Sequence, residues 1–228
     1  MSALIFFDID GTLLLSGGAG VRAMGLAFEQ VFGVPDGFAG IPVAGHTDRF
    51  LVSRALERVG MEDTPAAHEQ FRAAYLRVLP AEIQKPGTGR RGLMPGVEAL
   101  LQQLAAEDDI YCALLTGNYE PAAHVKLSHF GVGHHFSWGA FGEDSPDRSE
   151  LARLARGRAR ERGVPEAARA NTIVIGDTPH DITCARAIDA RVIAVATGGY
   201  SVEQLEEGCA DVVLTDLSDT VAVLGALR

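Results

Sequence analysis

The stretch FFDIDGTLL, residues 6 to 14, sets two carboxylates, Asp8 and Asp10, one residue apart where an apolar run stops. Successive strand residues point to opposite faces, so side chains two apart share a side or lie close together as the chain turns away. Carboxylates that near raise each other's pKa unless a cation neutralises them; Mg²⁺, which binds through few carboxylates and keeps several waters, suits the pair. Three further stretches carry matching chemistry. LLTGN puts Thr116, Gly117 and Asn118 at the end of a second apolar run, where a hydroxyl and backbone N–H groups can hold a phosphoryl oxygen. VIGDTPHD adds Asp177 and, four residues on, Asp181. Between them, EDSPDRSELARLA holds Arg148, whose permanent charge can bridge carboxylate and phosphate. Each element alone reads as a turn, a helix cap or a solvated charge. Arriving together, in this order and at the edges of apolar runs, they select the chemical reading.

The elements that must position these groups are short. ALIFFDI, IYCALLTG, TIVIGD, RVIAVATG and DVVLTD are continuously apolar rather than alternating, as in a parallel sheet covered on both faces. GVEALLQQLAAE, EPAAHVKLSHFG, SELARLARGRARERG and DITCARAI have helical character and supply the crossovers. The fold class is therefore α/β, a Rossmann-like doubly wound parallel sheet whose strand carboxyl ends form the ligand-binding edge. After Ser16 the rhythm breaks. GVRAMGLAFEQVFG, DRFLVSRALERVG and PAAHEQFRAAYLRVLPAEI are helix-like with no convincing strand, and SGGAG and PGTGRRGLMPG at the borders read as hinges. Residues 16–93 are predicted to form an inserted α-helical cap domain, and residues 1–15 with 94–228 the core.

Composition narrows the partners. At 228 residues and 47% hydrophobic, the chain can bury a full core with an insertion, and its net charge of −10 repels nucleic acid and anionic membrane surfaces. No stretch approaches the roughly 18 apolar residues of a membrane span, and ALIFF meets Asp8 too soon for a signal peptide. Three cysteines without CxxC spacing fit a reducing compartment, so a cytoplasmic location is expected. His134 and His135 keep no zinc-like spacing with carboxylates or cysteines. The basic run RLARGRARERG reads as the exposed face of an amphipathic helix.

The motif set, DxDGT at Asp8 to Thr12, Thr116, Arg148 and GDxxxD at Gly176 to Asp181, resembles that of the haloacid dehalogenase-like hydrolases over nearly the whole chain. The placement of the helical insertion is similar to the phosphoglycolate phosphatase-like subgroup with an α-helical cap. The resemblance implies a Mg²⁺-dependent phosphatase acting on a small phosphorylated metabolite, as a monomer or homodimer. Asp8 would be the nucleophile. Asp10 would protonate the leaving alcohol, activate water and lend a backbone carbonyl to the metal. Asp177 would ligate Mg²⁺ directly, with Asp181 acting through water or by orienting its neighbours. Thr116, Gly117, Asn118 and Arg148 would grip the phosphoryl group. The Lys-Pro-x-Pro stretch frequent in such phosphatases is absent. Arg148 fills about that interval and is preferred over Lys126, placed two turns along a helix whose exposed face accommodates a lysine. In AGHTDR, His46 or Arg49 would contact the substrate from the cap, although the same cluster reads equally as a helix start. Two other outcomes fit the motifs: a phosphomutase of the β-phosphoglucomutase type, and a non-catalytic phospho-accepting domain.

Overall fold

The computed structural model describes residues 2–227. In chain order the elements are β1 (Ala3–Phe7), β2 (Leu14–Ser16), α1 (Ala19–Phe32), α2 (Asp48–Arg58), α3 (Pro65–Glu82), β3 (Arg91–Leu93), α4 (Val97–Ala105) and β4 (Ile110–Leu115). There follow α5 (Glu120–His129), β5 (Gly139–Ala140), α6 (Arg148–Glu161), α7 (Glu166–Ala170), β6 (Thr172–Gly176), α8 (Pro179–Arg186), β7 (Arg191–Val195), α9 (Val202–Glu207), β8 (Val212–Leu214) and α10 (Thr220–Ala226). Six strands form one sheet in the order β5-β4-β1-β6-β7-β8, and every pairing in it is parallel. Parallel neighbours need crossover connections, which the helices provide.

The strand period of two explains why both faces of the sheet are apolar. Ala3, Ile5 and Phe7 of β1 point into one cluster with Leu100 and Leu104 of α4 and Leu127 of α5. Leu4 and Phe6 point the other way, against Leu151 and Ala155 of α6 and Ala185 of α8. Burying Phe6 and Phe7 completely contributes about 1.5–3 kcal/mol each, so this strand is fixed before any catalytic demand arises. From β1 the chain steps to β4 and β5 on one side, then crosses back through α6 and α7 to β6 on the other. That reversal opens a crevice at the carboxyl end of β1, the usual ligand position in such sheets.

The chain leaves and re-enters the sheet region through a ribbon that the sequence did not announce. β2 and β3 pair antiparallel, with Leu14 opposite Leu93 and Ser16 opposite Arg91. Three-residue strands carry too few side chains to display an alternation, so only their glycine-rich flanks were visible. Between them α1, α2 and α3 enclose a third cluster, in which Phe28 packs on Phe38 and Phe71. Capping sets the helix starts: Thr47 accepts from the N–H of Phe50 at 3.1 Å, and Thr64 precedes Pro65 and accepts from Ala67. Tyr119 and Ala122 join the same cluster and tie it to the sheet region. Among the described residues no helix is long and apolar enough to cross a membrane.

Candidate active site

Asp8, Thr116 and Asp177 are each the first residue beyond a strand, β1, β4 and β6, and these three strands are adjacent. The edge they form lines a cavity of about 400 Å³, with Asp10, Gly117, Asn118, Lys126, Arg148 and His46 also on its wall.

One side of the cavity is an acidic cluster. Asp8, Asp177 and Asp181 each offer a carboxylate oxygen within 4.8 Å of the others, and all three are buried. Arg148, at the first turn of α6, reaches Asp181 at 2.5 Å and Asp8 at 3.6 Å through Nη2. Thr12 donates to Asp177 at 3.2 Å, while the backbone N–H and hydroxyl of Thr178 both donate to Asp181, at 3.0 and 2.7 Å. Asp181 thus serves the start of α8 and the site at once. Glycine makes the cluster compact: a Cβ on Gly11, which has φ +91°, would lie 2.4 Å from Asp177 Oδ2, and one on Gly198 only 1.7 Å from it.

The electrostatics are unfavourable as they stand. Burial, with the charges of Asp181 and Asp8 adding to it, pushes the Asp177 carboxyl up to about 9. Burial also raises Asp8, to about 7, with Arg148 opposing and Asp181 and Asp10 reinforcing the rise. Burial alone would lower the pKa of Arg148, but Asp181 and Asp8 outweigh it and hold the guanidinium charged. One guanidinium does not neutralise three buried carboxylates. The donor set is all oxygen, anionic and without sulfur or imidazole, which fits a hard divalent cation such as Mg²⁺.

The other side of the cavity is a polar chain. Lys126 Nζ donates to Asp10 Oδ2 and to Asn118 Oδ1, both at 2.6 Å. Asn118 Nδ2 donates to Asp10 at 2.8 Å and to the Thr116 hydroxyl at 2.8 Å. The carboxylate of Asp10 therefore lies outside the Asp8–Asp177–Asp181 cluster and faces Lys126. This corrects the sequence reading of Lys126 as an exposed residue: it is only 4% exposed. Arg148 and Lys126 are not rivals in space, since one pairs with the acidic cluster and the other with Asp10.

The cluster AGHTDR divides. Thr47 caps α2. His46 lines the cavity, stacks on Phe50 at a ring separation of 4.4 Å and lies 4.8 Å from the His180 ring; burial, then His180 and Arg148, lower its pKa. Arg49 is exposed on α2 and is absent from the described cavity wall, contrary to expectation: it follows the buried Asp48, and on a helix the next residue turns outward. Arg148 also donates to the Gly45 carbonyl at 3.3 Å, linking the acidic cluster to this segment. Two wall residues escaped the sequence reading. Asp48 accepts from the Tyr119 N–H at 2.8 Å, and burial raises its pKa to about 7 against the pull of Lys126. Tyr75 of α3 is fully buried behind the same wall.

The profile of the haloacid dehalogenase-like hydrolase family matches residues 5–186, a span holding every motif residue above. The chain belongs to that family. Among curated proteins of similar sequence, the tyrosine-protein kinase PtkA of Mycobacterium tuberculosis is 27% identical over 197 residues, 86% of this chain, and this chain spans 62% of its length. The phosphoglycolate phosphatase of Pectobacterium atrosepticum is 26% identical, with 96% of this chain and 91% of that protein covered. Among solved structures, a hydrolase from Pseudomonas syringae aligns with TM-score 0.69 and 22% identity over 99% of both chains. CbbY from Rhodobacter sphaeroides in complex with xylulose-1,5-bisphosphate aligns with TM-score 0.70 and 19% identity over 96% of both. These likenesses show the fold of the family; the family itself is the one the motifs resemble.

Proposed function

We propose that the protein is a Mg²⁺-dependent phosphatase that hydrolyses a small phosphomonoester through a phosphorylated Asp8. The observation that carries the reading is that one cavity is lined both by Asp8, in the acidic cluster with Arg148, and by the Asp10–Lys126–Asn118–Thr116 chain.

An Asp8 oxygen attacks phosphorus, the bond from phosphorus to the ester oxygen breaks, and Asp10 gives its proton to the departing alkoxide. Water then attacks the aspartyl-phosphate, Asp10 accepts its proton, and phosphate leaves with Asp8 regenerated as a carboxylate. Lys126 and Asn118 hold Asp10 through both steps. Thr116 and Arg148 face the spread charge of the transferring group. Asp8, Asp177 and Asp181, with the Asp10 carbonyl, would hold Mg²⁺, which supplies charge that keeps the carboxylates ionised and offsets that of the phosphoryl group. Residues 16–93 act as the cap that excludes water, with His46 contributing to substrate choice.

A cavity of about 400 Å³ suits a metabolite, and three cysteines without CxxC spacing fit a cytoplasmic site of action. The phosphatases and the bisphosphate-bound CbbY among the similar proteins support phosphoglycolate and sugar phosphates as first candidates. The test is a panel of phosphorylated metabolites assayed for phosphate release with and without Mg²⁺, for the wild type and Asp8→Asn. Release that needs both Mg²⁺ and Asp8 supports the proposal. An isomerised product without free phosphate would make the protein a mutase. Long-lived phosphoprotein without released alcohol would make it a phospho-acceptor, and ATP-dependent labelling of a tyrosine peptide a kinase.

A further inference from the structure

The outer face of α6 takes no part in the chemistry above. Arg153, Arg156 and Arg160 follow one another at spacings of three and four and project from one side of that helix. With Arg169 of α7 and the turn Ala187–Asp189 after α8, they line a concavity of about 380 Å³ that shares no residue with the catalytic cavity.

The charge there is unbalanced. Three partly buried arginines outside it are matched with acids: Arg22 with Glu82, Arg72 with Glu143, Arg158 with Asp144. In the concavity Arg153 alone has a carboxylate partner among the described residues, Glu150 on its own exposed helix face at 3.3 Å. Arg156 and Arg169 are held instead by backbone carbonyls, donating to Ile188 at 2.6 Å and Val164 at 3.0 Å. Four arginines against the wall acid Asp189 and the Glu150 that pairs with Arg153 leave +2 around one hollow (4 − 2), on a chain whose net charge is −10. Assembling like charges costs energy that a bound anion removes.

We propose that this concavity binds a compact polyphosphate anion, a di- or triphosphate group carried by a small molecule. Guanidinium forks match phosphate oxygens two at a time, and several converging forks call for a ligand with several phosphates. The acidic remainder of the surface disfavours a nucleic acid duplex or a lipid bilayer, which present extended anionic surfaces.

The experiment titrates inorganic tripolyphosphate into the full chain by calorimetry at about 0.15 M salt, where loose surface attraction is largely screened. Saturable one-to-one binding that weakens about tenfold or more in Arg153→Gln/Arg160→Gln is expected. Both residues are exposed, and unchanged melting will show that the double variant folds; Arg156→Gln gives an independent loss. Binding undiminished in these variants would place the anion in the catalytic cavity and overturn the proposal. So would the lack of saturation, equal competition by sulfate at matched ionic strength, or tighter binding to a DNA duplex or anionic vesicles. No turnover is measured, so the result is independent of the proposed phosphatase activity.

Discussion

Replacing Gly198 by alanine tests the cluster without touching a carboxylate. Gly198 is not in the left-handed region, so alanine meets no backbone strain there. Its Cβ would nevertheless fall 1.7 Å from Asp177 Oδ2, where ordinary contact begins at 3.4 Å. The carboxylate must retreat by about the difference, 3.4 − 1.7 = 1.7 Å, which moves it within a cluster whose oxygens lie within 4.8 Å of one another. Misplacing a positioned group by about 1 Å costs about a hundredfold in rate, and overpacking of this kind costs about 1–3 kcal/mol in stability. Phosphate release should therefore fall about a hundredfold, with half-saturation moved to higher Mg²⁺, in a chain that still melts cooperatively. The control is Gly199→Ala: its Cβ would meet nothing within 4 Å, and it should keep wild-type Mg²⁺ dependence. Gly198→Ala with unaltered turnover and Mg²⁺ dependence would refute the assignment of Asp177 as a metal ligand.

Further outcomes follow from the same geometry. Because Asp8 and Asp177 have folded-state pKa values raised to about 7 and about 9, the native state holds protons that the unfolded chain, near 3.8, releases. Stability without metal should then fall as pH rises from about 4 to about 9, and the melting shift produced by Mg²⁺ should grow across that window; a pH-independent shift contradicts the charge argument. Lys126→Met removes the donor to Asp10 and Asn118 and should slow phosphate release about a hundredfold, measured at saturating substrate. Arg148→Met leaves Asp8 and Asp181 without their cation and should destabilise the metal-free protein by about 3–5 kcal/mol in denaturant titrations, with Mg²⁺ recovering part of the loss. His46→Ala should raise KM for the best substrate more than it lowers kcat, whereas Arg49→Ala, on the exposed face of α2, should change neither.

The sheet was readable because its strands are continuous apolar runs that end at the candidate site residues: Phe7 before Asp8, Leu115 before Thr116, Gly176 before Asp177. β2, β3 and the two-residue β5 were not, since pairing over two or three residues depends on partners distant in sequence. α7, α9 and α10 are likewise too short to show a helical period. The position of Lys126 was in fact encoded: Ala122, Ala123, Lys126 and Leu127 fall at spacings of one, three and one, which put all four on the buried face of α5. A lysine on an apolar stripe signals an acidic partner inside, and Asp10 is that partner. Asp48 could be seen only as a helix start, because its burial comes from contacts with Gly117 and Tyr119, about seventy residues along the chain.

The most direct measurement is mass spectrometry of the protein quenched in acid during turnover of its best substrate. A single added phosphoryl group on the peptide containing Asp8, present only with Mg²⁺ and absent from Asp8→Asn, is the predicted result. Phosphate release that persists in Asp8→Asn, or a phosphoryl group on another residue, would contradict it.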